Sequence, residues 1–371
     1  MDYKVPLKTI DQRDKYLALW DKFVRNPFLK PLFHGLSVLY GLGVHLRKIS
    51  YNIGLIPVKH LPFPVISVGN ITVGGTGKTP VVAMIAEFLL EHGRRPVILT
   101  RGYKRRGQHK IKIVSDTKKV LSLPEEAGDE PYMLAGWLQG VPVIANKDRY
   151  ASAIFAINKF MADCFILDDG FQHIKLFRDM DILVINARDP FSNNKILPCG
   201  QLREPLNSIN RASLILLNKS ISGQNLESIF SMIRKYNTDA PIIETSYTPV
   251  YFVSALNDRK YLPLSNLKGK TVLAFSGIAD PSSFMNNLKE IGAIIANSII
   301  FTDHHWYSER DIDKIKEIAR LSAAEYIVTT EKDGVRLPTD CKDGIYLLIM
   351  KMGLKKSQAE LEKIMHPILV K

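Results

Sequence analysis

The sequence has few cysteines and no apolar run long enough to cross a membrane. Its only cysteines, Cys164, Cys199 and Cys341, are too widely spaced for a metal-binding motif. We therefore expect reduced thiols, as in a cytosolic protein. Residues 1–20 mix charged and apolar side chains without a cleavage pattern, so we expect no secretory signal. Residues 31–46 lack fixed charges but fall short of the roughly 20 apolar residues of a spanning helix.

Acidic side chains are absent from residues 22–86, and the whole chain carries a formal net charge of +13. This excess suits anionic partners (nucleotides, nucleic acid, phospholipid or a phosphorylated substrate) without choosing among them. Within the stretch, residues 28–46 place apolar side chains at helical spacing, with basic residues on both sides. The pattern predicts an amphipathic helix that lies either in a membrane interface or on the protein's own core.

The rest of the chain alternates strand and helix patterns, which predicts an α/β fold with a doubly wound, mostly parallel sheet. We expect an N-terminal extension that contains this helix over residues 1–60 and a core over residues 61–245, whose order of strand, VGGTGKT turn and helix is P-loop NTPase-like. The alternation lapses over residues 246–264, where we expect a β-ribbon linker. It resumes over residues 265–371, which predict a second, smaller α/β lobe.

A glycine-rich turn follows the first strand of the predicted core. Its sequence, VGGTGKT, matches the phosphate-binding pattern G-x-x-x-x-G-K-[ST] except at the first position, where Thr72 replaces glycine. The glycines let backbone amides converge on phosphate, Lys78 reaches the β- and γ-phosphates, and the Thr79 hydroxyl suits Mg²⁺. The predicted nucleotide-binding turn comprises Thr72, Val73, Gly74, Gly75, Thr76, Gly77, Lys78 and Thr79.

Two adjacent carboxylates end a second buried strand. Asp168 and Asp169 follow four apolar residues in the sequence CFILDDGFQH, as the acidic residue of a Walker B strand does. Adjacent carboxylates repel each other unless a cation lies between them. We therefore predict a magnesium site here, and the sequence leaves open which of the two touches the metal.

Two further groups are candidates for activating an acceptor. GDEP supplies Asp129 and Glu130, and FTDHHWY supplies Asp303, His304 and His305 in the smaller lobe. A histidine beside a carboxylate suits a general base near neutral pH. By themselves, adjacent histidines are more typical of helix caps or of the surface.

Two other functions fit parts of the pattern. The first is a membrane-associated P-loop switch ATPase that acts on protein partners. The deviant type of such ATPases carries a second lysine just before the paired glycines, and Val73 at that position argues against this function. A nucleic-acid-binding ATPase fits the charge, but the chain has no aromatic–basic RNA signature and no zinc spacing. Measurement of ATP turnover would separate these ATPases from an enzyme that transfers phosphate to an acceptor, because such an enzyme turns over ATP only when its acceptor is present.

Motifs spread in order from about residue 60 to residue 335 resemble those of the tetraacyldisaccharide 4′-kinases, the lipid A 4′-kinases of Gram-negative bacteria. They are SVGNITVGGTGKTP, TRGYKR, GDEP, NKDRYASA, ILDDGFQH, LPCGQLREP, FSGIADPSSF, FTDHHWY and TTEKD. The resemblance implies Mg²⁺-dependent transfer of the γ-phosphate of ATP to the 4′-hydroxyl of an acylated disaccharide 1-phosphate. The motifs do not extend before about residue 25.

The resemblance also implies roles for individual residues. Lys78 and Thr79 hold ATP and Mg²⁺, Asp168 and Asp169 serve the metal, and Asp129 activates the acceptor hydroxyl together with His304. The remaining matched positions lie near the active centre or are basic and suited to phosphates: Gln172, His173, Glu204, Arg101, Arg149 and Arg203. An acylated substrate resides in a bilayer, so the resemblance favours the membrane-docking role of residues 28–46. We expect a monomer at the cytoplasmic face of the inner membrane that binds no nucleic acid.

Overall fold

The structure, a computed structural model, describes residues 26, 28–102, 111–218, 225–256, 261–355 and 358–371. Residues 1–25 and most of the basic loop of residues 101–110 therefore lie outside the described part. The chain forms two compact units. The larger unit comprises Pro27–Tyr247 with Met352–Lys371, and the described part of the smaller unit is Asn26 with segments of Thr248–Lys351.

A mostly parallel sheet forms the centre of the larger unit. Its strands are β1 (Val65–Gly69), β2 (Pro96–Thr100), β3 (Lys112–Ser115), β4 (Val143–Ala145), β5 (Cys164–Asp168), β6 (Met180–Asn186), β7 (Leu214–Asn218) and the first part of β8 (Ile242–Ser254). Their spatial order is β3-β4-β2-β5-β1-β6-β7-β8, and only β3 runs antiparallel to its neighbour. The expected doubly wound α/β core is confirmed.

Helices cover both faces of this sheet, which explains why its strands are continuous apolar runs. Every residue of β1 and β5 is buried. The helices are α1 (Lys30–Asn52), α2 (Lys78–Glu91), α3 (Pro124–Ala127), α4 (Asp129–Trp137), α5 (Arg149–Phe160) and α6 (Glu227–Arg234). Strands β1 and β5 are parallel neighbours that pair Val68 with Asp168. The glycine-rich turn and the paired carboxylates therefore leave the sheet side by side.

The smaller unit is a second α/β layer. Its parallel strands are β10 (Thr271–Ser276), β11 (Ile294–Ile300), β12 (Tyr326–Thr330) and β13 (Ile345–Leu354), and β9 (Tyr261–Pro263) runs antiparallel to the later part of β8. Its helices are α7 (Pro281–Ile291), α8 (Glu309–Leu321) and α9 (Glu331–Gly334). Asp280 caps α7 by accepting a hydrogen bond from the Ser283 amide, and Gly292 ends it at φ 92°, as the sequence indicates.

The unit boundaries differ from the expected ones at the C-terminus. The segment expected as a linker is a β-ribbon of β8 and β9, but residues 352–371 group with the larger unit. Helix α10 (Gln358–Leu369) buries Leu361, Met365 and Ile368 in the same apolar cluster as Ile66 and Val81. Long-range burial therefore assigns this helix, and the alternation of strands and helices carries no such information.

Helix α1 packs by one face only. The Ser37 hydroxyl donates to the Ile196 carbonyl at 2.9 Å, and the Tyr40 hydroxyl donates to the Arg203 carbonyl at 3.0 Å. The opposite face exposes leucines such as Leu32, Leu39 and Leu46, and no residue of the helix is buried. Among the described helices, none is both long enough and apolar enough to span a bilayer.

Candidate active site

The glycine-rich turn leads directly into helix α2, which begins at Lys78. Gly77, at the N-cap of α2, has φ 83°, a left-handed conformation that favours glycine. A Cβ added there would lie 2.0 Å from Asn218 Nδ2. No described side chain caps the first amides of α2, and these amides together with the helix dipole favour an anion.

The turn is held from three sides. The side-chain amide of Asn70 donates from Nδ2 to Thr76 Oγ1 at 3.0 Å. The side-chain amide of Asn218, at the end of β7, donates from Nδ2 to the Thr76 carbonyl at 3.0 Å. The Val73 amide donates to the Gln201 carbonyl at 2.8 Å. Thr72 also forms a β-bridge with Leu202. These contacts fix the turn before any ligand binds, which is the preorganisation that phosphate binding needs.

Asp168 and Asp169 occupy different electrostatic environments. Asp168 is 4% exposed, and burial raises its pKa to about 7, with a further increase from the negative charge of Glu130. Burial also acts to raise the pKa of Asp169, but Lys78 and Arg203 outweigh it and hold that pKa below its usual value. A single cation near Asp168 would relieve the crowding of negative charge.

Asp169 is the anchor of two cationic side chains. Its carboxylate lies 3.5 Å from Lys78 Nζ and accepts hydrogen bonds from Arg203 Nη1 at 3.0 and 3.1 Å. Asp169 has φ 52°, so the chain turns sharply directly after β5. This turn and these ion pairs bring together Lys78, Asp169 and Arg203, three of the residues named by sequence.

Gln172 and Glu204 form a second network against the turn. The Gln172 amide donates to the Asn70 carbonyl at 2.8 Å and to Glu204 Oε1 at 3.1 Å. Arg211 donates to Glu204 Oε2 at 2.7 Å and to the Phe171 carbonyl at 2.8 Å. Burial acts to raise the pKa of Glu204, but the hydrogen bond from Arg211 lowers it overall, so the carboxylate is ionised.

Arg149 is buried near the carboxylates with bonding capacity to spare. It is 4% exposed, and burial lowers its pKa to about 10 while Asp168 opposes the change and Arg101 adds to it. Its Nη1 donates to the Asn146 carbonyl at 3.0 Å, whereas its Nε has no hydrogen-bond partner in the described part of the chain. A buried guanidinium with an unused donor suits a phosphate oxygen.

His173 lies in this basic environment and is neutral at pH 7. Burial and the charges of Arg149, Arg178 and Arg47 lower its pKa to about 4. Since the unfolded chain binds this proton near pH 6.5, stability falls as the pH drops from about 6.5 to 4, by about 3 kcal/mol from this group. We expect urea unfolding of His173→Asn to show a smaller loss over this range than the wild type. An equal loss in both proteins would contradict the assignment.

The motif FTDHHWY forms a loop of the smaller unit, residues 301–307, which we call the histidine loop. The His304 amide donates to the Gly277 carbonyl at 3.1 Å, and its φ of 65° is left-handed. His304 Nε2 lies 3.9 Å from Asp303 Oδ2. The neighbouring His305 stacks on Phe301 at 4.7 Å and approaches Asp311 Oδ2 at 3.2 Å.

Asp129 and Glu130 begin helix α4 in the larger unit. Asp129 Oδ1 accepts a hydrogen bond from the Glu130 amide at 3.0 Å. Glu130 is close enough to raise the pKa of Asp168. The two acids therefore lie near the Walker B carboxylates. The histidine loop belongs to the other unit, so its relation to these acids stays a prediction.

The donor set fits Mg²⁺ bound together with phosphate. Thr79, Asp168 and Asp169 offer the hard oxygen ligands that this ion takes. Among the described residues, no group of three or more His, Cys, Asp and Glu side chains is arranged to hold a metal alone. In other P-loop sites phosphate oxygens supply further ligands of the ion, and Thr79, Asp168 and Asp169 would hold Mg²⁺ here.

Comparison with known proteins decides the family. The family model described as tetraacyldisaccharide-1-P 4′-kinase matches residues 29–369. The chain belongs to the tetraacyldisaccharide 4′-kinase family. A tetraacyldisaccharide 4′-kinase from Halothermothrix orenii is 40% identical over 316 residues, which cover 82% of each chain. One from Geobacter metallireducens is 38% identical over 335 residues, which cover 89% of this chain and 96% of that protein.

A solved structure carries the same fold. The crystal structure of LpxK from Aquifex aeolicus in complex with ATP is 34% identical, with a TM-score of 0.75 over 92% of this chain and 99% of that one. The resemblance drawn from the motifs is thus confirmed, as is the P-loop fold class. The roles of individual residues in this kinase-family site stay predictions.

Sequence reasoning missed two residues of this site. Asn218 contacts Gly77 and Thr76, and Arg211 holds Glu204 and covers the ring of Phe171 at 4.1 Å. Asn218 directly follows the apolar strand LILL, as Asp168 follows FIL, so the polar residue at a strand's carboxyl end is a signal for the first. No pattern in the sequence singles out Arg211.

Proposed function

We propose that this protein is an ATP- and Mg²⁺-dependent kinase that phosphorylates the 4′-hydroxyl of a tetraacyldisaccharide 1-phosphate, a step in lipid A biosynthesis. The observation that carries the proposal is the P-loop with Lys78 and Asp169 at 3.5 Å, in a chain that belongs to the tetraacyldisaccharide 4′-kinase family. The Aquifex aeolicus relative was solved with ATP, which supports ATP as the phosphate donor.

Phosphoryl transfer needs positioning and neutralisation of negative charge more than it needs covalent chemistry. The amides of residues 73–79 and the N-terminus of α2 hold the phosphates. Lys78 neutralises charge that develops on the transferred group, and Arg149 and Arg203 contribute further positive charge nearby. A bound Mg²⁺ supplies Lewis-acid neutralisation of the β- and γ-phosphate oxygens.

Asp129 and His304 are the proposed pair that activates the acceptor. In this proposal the His304 imidazole accepts the proton of the 4′-hydroxyl as the bond to phosphorus forms, and Asp129 assists this proton removal. Asp129 lies next to Glu130, whose charge acts on Asp168, and this supports a position close to the metal site.

Helix α1 is the proposed docking element for the inner membrane, at its cytoplasmic face. Its outer face exposes Leu32, Leu39, Leu46 and Ile49, at 59%, 65%, 53% and 37%. Its inner face contacts Arg203, which pairs with Asp169. The same helix thus joins an apolar surface suited to acyl chains to the candidate site. We also propose that the enzyme acts as a monomer and binds no nucleic acid.

The deciding experiment is incubation of the purified protein with γ-³²P-ATP, Mg²⁺ and a tetraacyldisaccharide 1-phosphate in detergent micelles. We expect label in the lipid, and phosphorus NMR of the product should place the new ester at the 4′ position. ATP hydrolysis that proceeds equally without the lipid, with no labelled lipid, would instead support the switch-ATPase alternative.

Polar substitution of the exposed face of α1 tests the docking role. We expect Leu32→Ser, Leu39→Ser and Leu46→Ser together to reduce binding to anionic vesicles by about 10²-fold, because each half-exposed leucine contributes about 1 kcal/mol of apolar burial in lipid. The matched control changes three exposed apolar residues elsewhere, Met161, Leu321 and Val370, to serine. Equal partitioning of the two triple variants would contradict the docking role.

A further inference from the structure

A buried ion pair lies beneath the histidine loop, and none of the roles proposed above involves its two residues. Asp333, in the motif TTEKD, and Arg336 have fully buried side chains, with Arg336 Nη2 3.2 Å from Asp333 Oδ1. Removing two charges from water is costly unless each is fully hydrogen-bonded. This pair meets that condition through contacts that converge on one short segment.

Asp333 gathers hydrogen bonds from three elements of the smaller unit. Its Oδ1 accepts from the Gly277 amide at 2.9 Å and from the Tyr307 hydroxyl at 2.9 Å. Its Oδ2 accepts from the Thr330 hydroxyl at 2.6 Å. One carboxylate thus ties the end of β10, the end of the histidine loop and the start of α9 together.

Arg336 makes the complementary contacts to backbone carbonyls. Its Nη1 donates to the Gly277 carbonyl at 3.2 Å and to the His305 carbonyl at 3.3 Å. The Gly277 carbonyl is also the acceptor of the His304 amide. One guanidinium therefore binds both the partner of the His304 amide, Gly277, and the next residue in the chain, His305.

His304 needs such support because its backbone is left-handed. A residue with a Cβ pays a steric cost at φ 65°, and it keeps this conformation only where its surroundings impose it. Gly277 is closely packed, since a Cβ there would lie 3.0 Å from the Thr302 carbonyl and 3.2 Å from Asp333 Oδ1. The histidine loop is thus held by its hydrogen bond to Gly277 and by the close packing around that residue.

We propose that Arg336, held by Asp333, is a positioning residue that fixes the backbone of His304 through the carbonyls of Gly277 and His305. The inference rests on the proposed function, in which His304 receives the acceptor proton. It assigns the motifs FSGIADPSSF and TTEKD a joint task. General-base catalysis depends on geometry, and a displacement of about 1 Å lowers a rate by about 10²-fold.

Arg336→Lys is the sharpest test, because lysine keeps the positive charge beside Asp333 and loses the forked contact with two carbonyls. We expect kcat to fall by about 10- to 100-fold while KM for ATP changes less than about twofold. In a His304→Ala background the same substitution should lower kcat by less than about twofold, because the two residues act as one unit.

A change in the surroundings of His304 is detected by NMR on protein with ¹³C-labelled histidine. The His304 signal is assigned by its loss in His304→Ala and should move in Arg336→Lys, whereas that of His366 should not. Leu288→Ala is the control for general destabilisation, since Leu288 is buried in a different apolar cluster of the same unit. It should leave both kcat and the His304 signal unchanged.

The outcomes separate the inference from the proposed function. An unmoved His304 signal in folded Arg336→Lys, or an equal fall in kcat with and without His304, overturns the positioning role. An unchanged kcat in His304→Ala instead overturns the catalytic proposal, while the NMR shift still decides the positioning. If Arg336→Lys does not fold, Tyr307→Phe removes one hydroxyl from Asp333 and is judged by the same measurements.

Discussion

Replacing Lys78 with alanine is expected to lower kcat for lipid phosphorylation by at least about 10³-fold, or about 4 kcal/mol of transition-state stabilisation. Lys78 is the first residue of α2, and its Nζ lies 3.5 Å from Asp169 Oδ1. In the proposed mechanism this amine neutralises the negative charge that develops on the transferred phosphoryl group. Alanine leaves Arg203 on Asp169 at 3.0 Å, so we expect the site to stay folded.

The control for this variant is Lys355→Ala. Lys355 belongs to the same unit and pairs with Glu244 at 3.0 Å, and its loss changes the net charge by the same amount. A surface ion pair of this kind contributes little to the free energy of unfolding. Because Lys355 has no proposed role in the site, kcat should be unchanged. Circular dichroism and a fluorescent ATP analogue show whether fold and nucleotide binding persist. Near-normal turnover in Lys78→Ala would remove the P-loop from the mechanism.

The backbone of the predicted nucleotide-binding turn and the strand end beside it could be predicted from the sequence because the signals there are local. The left-handed Gly77 and the helix that starts at Lys78 follow from the spacing of glycines, lysine and threonine within one turn. Asp168 and Asp169 follow from their place after a buried apolar strand. Parallel pairing of β1 with β5 then brings the two motifs together, as expected for a doubly wound sheet.

The parts that escaped prediction depend on contacts between residues far apart in the chain. Arg211 reaches Glu204 because a short 3₁₀ turn returns it to the site, and α10 joins the larger unit through buried Met365. The sequence offers Asp129 and Glu130 as adjacent acids. Only the packing of α4 brings the charge of Glu130 close enough to raise the pKa of Asp168.

The helix of residues 28–46 shows why two interpretations of one pattern stayed open. A periodic apolar face predicts burial without saying whether protein or lipid covers it. The structure places the small residues Ser37 and Gly41 against Ile196 of the same unit and leaves leucines such as Leu39 exposed. The apolar face is thus not a core face of the described chain, which supports the docking proposal.

Replacing His304 with alanine is expected to lower kcat by about 10²- to 10⁴-fold, the usual contribution of a general base. KM for ATP should change little, because the P-loop belongs to the other unit. The comparison variant is His305→Ala. His305 stacks on Phe301 and approaches Asp311, so its loss should lower the unfolding temperature. Its effect on kcat should be much smaller than that of His304→Ala.

The adjacent histidines make this pair of variants decisive. Sequence alone treats His304 and His305 alike, whereas the structure engages His305 in stacking and gives His304 the left-handed backbone fixed on Gly277. A general base acts on the acceptor proton, so the His304→Ala defect should appear in kcat and should be partly restored by added free imidazole, which can take the same proton. A defect confined to KM for the lipid, with no restoration by imidazole, would make His304 a binding residue and leave the proton to another group.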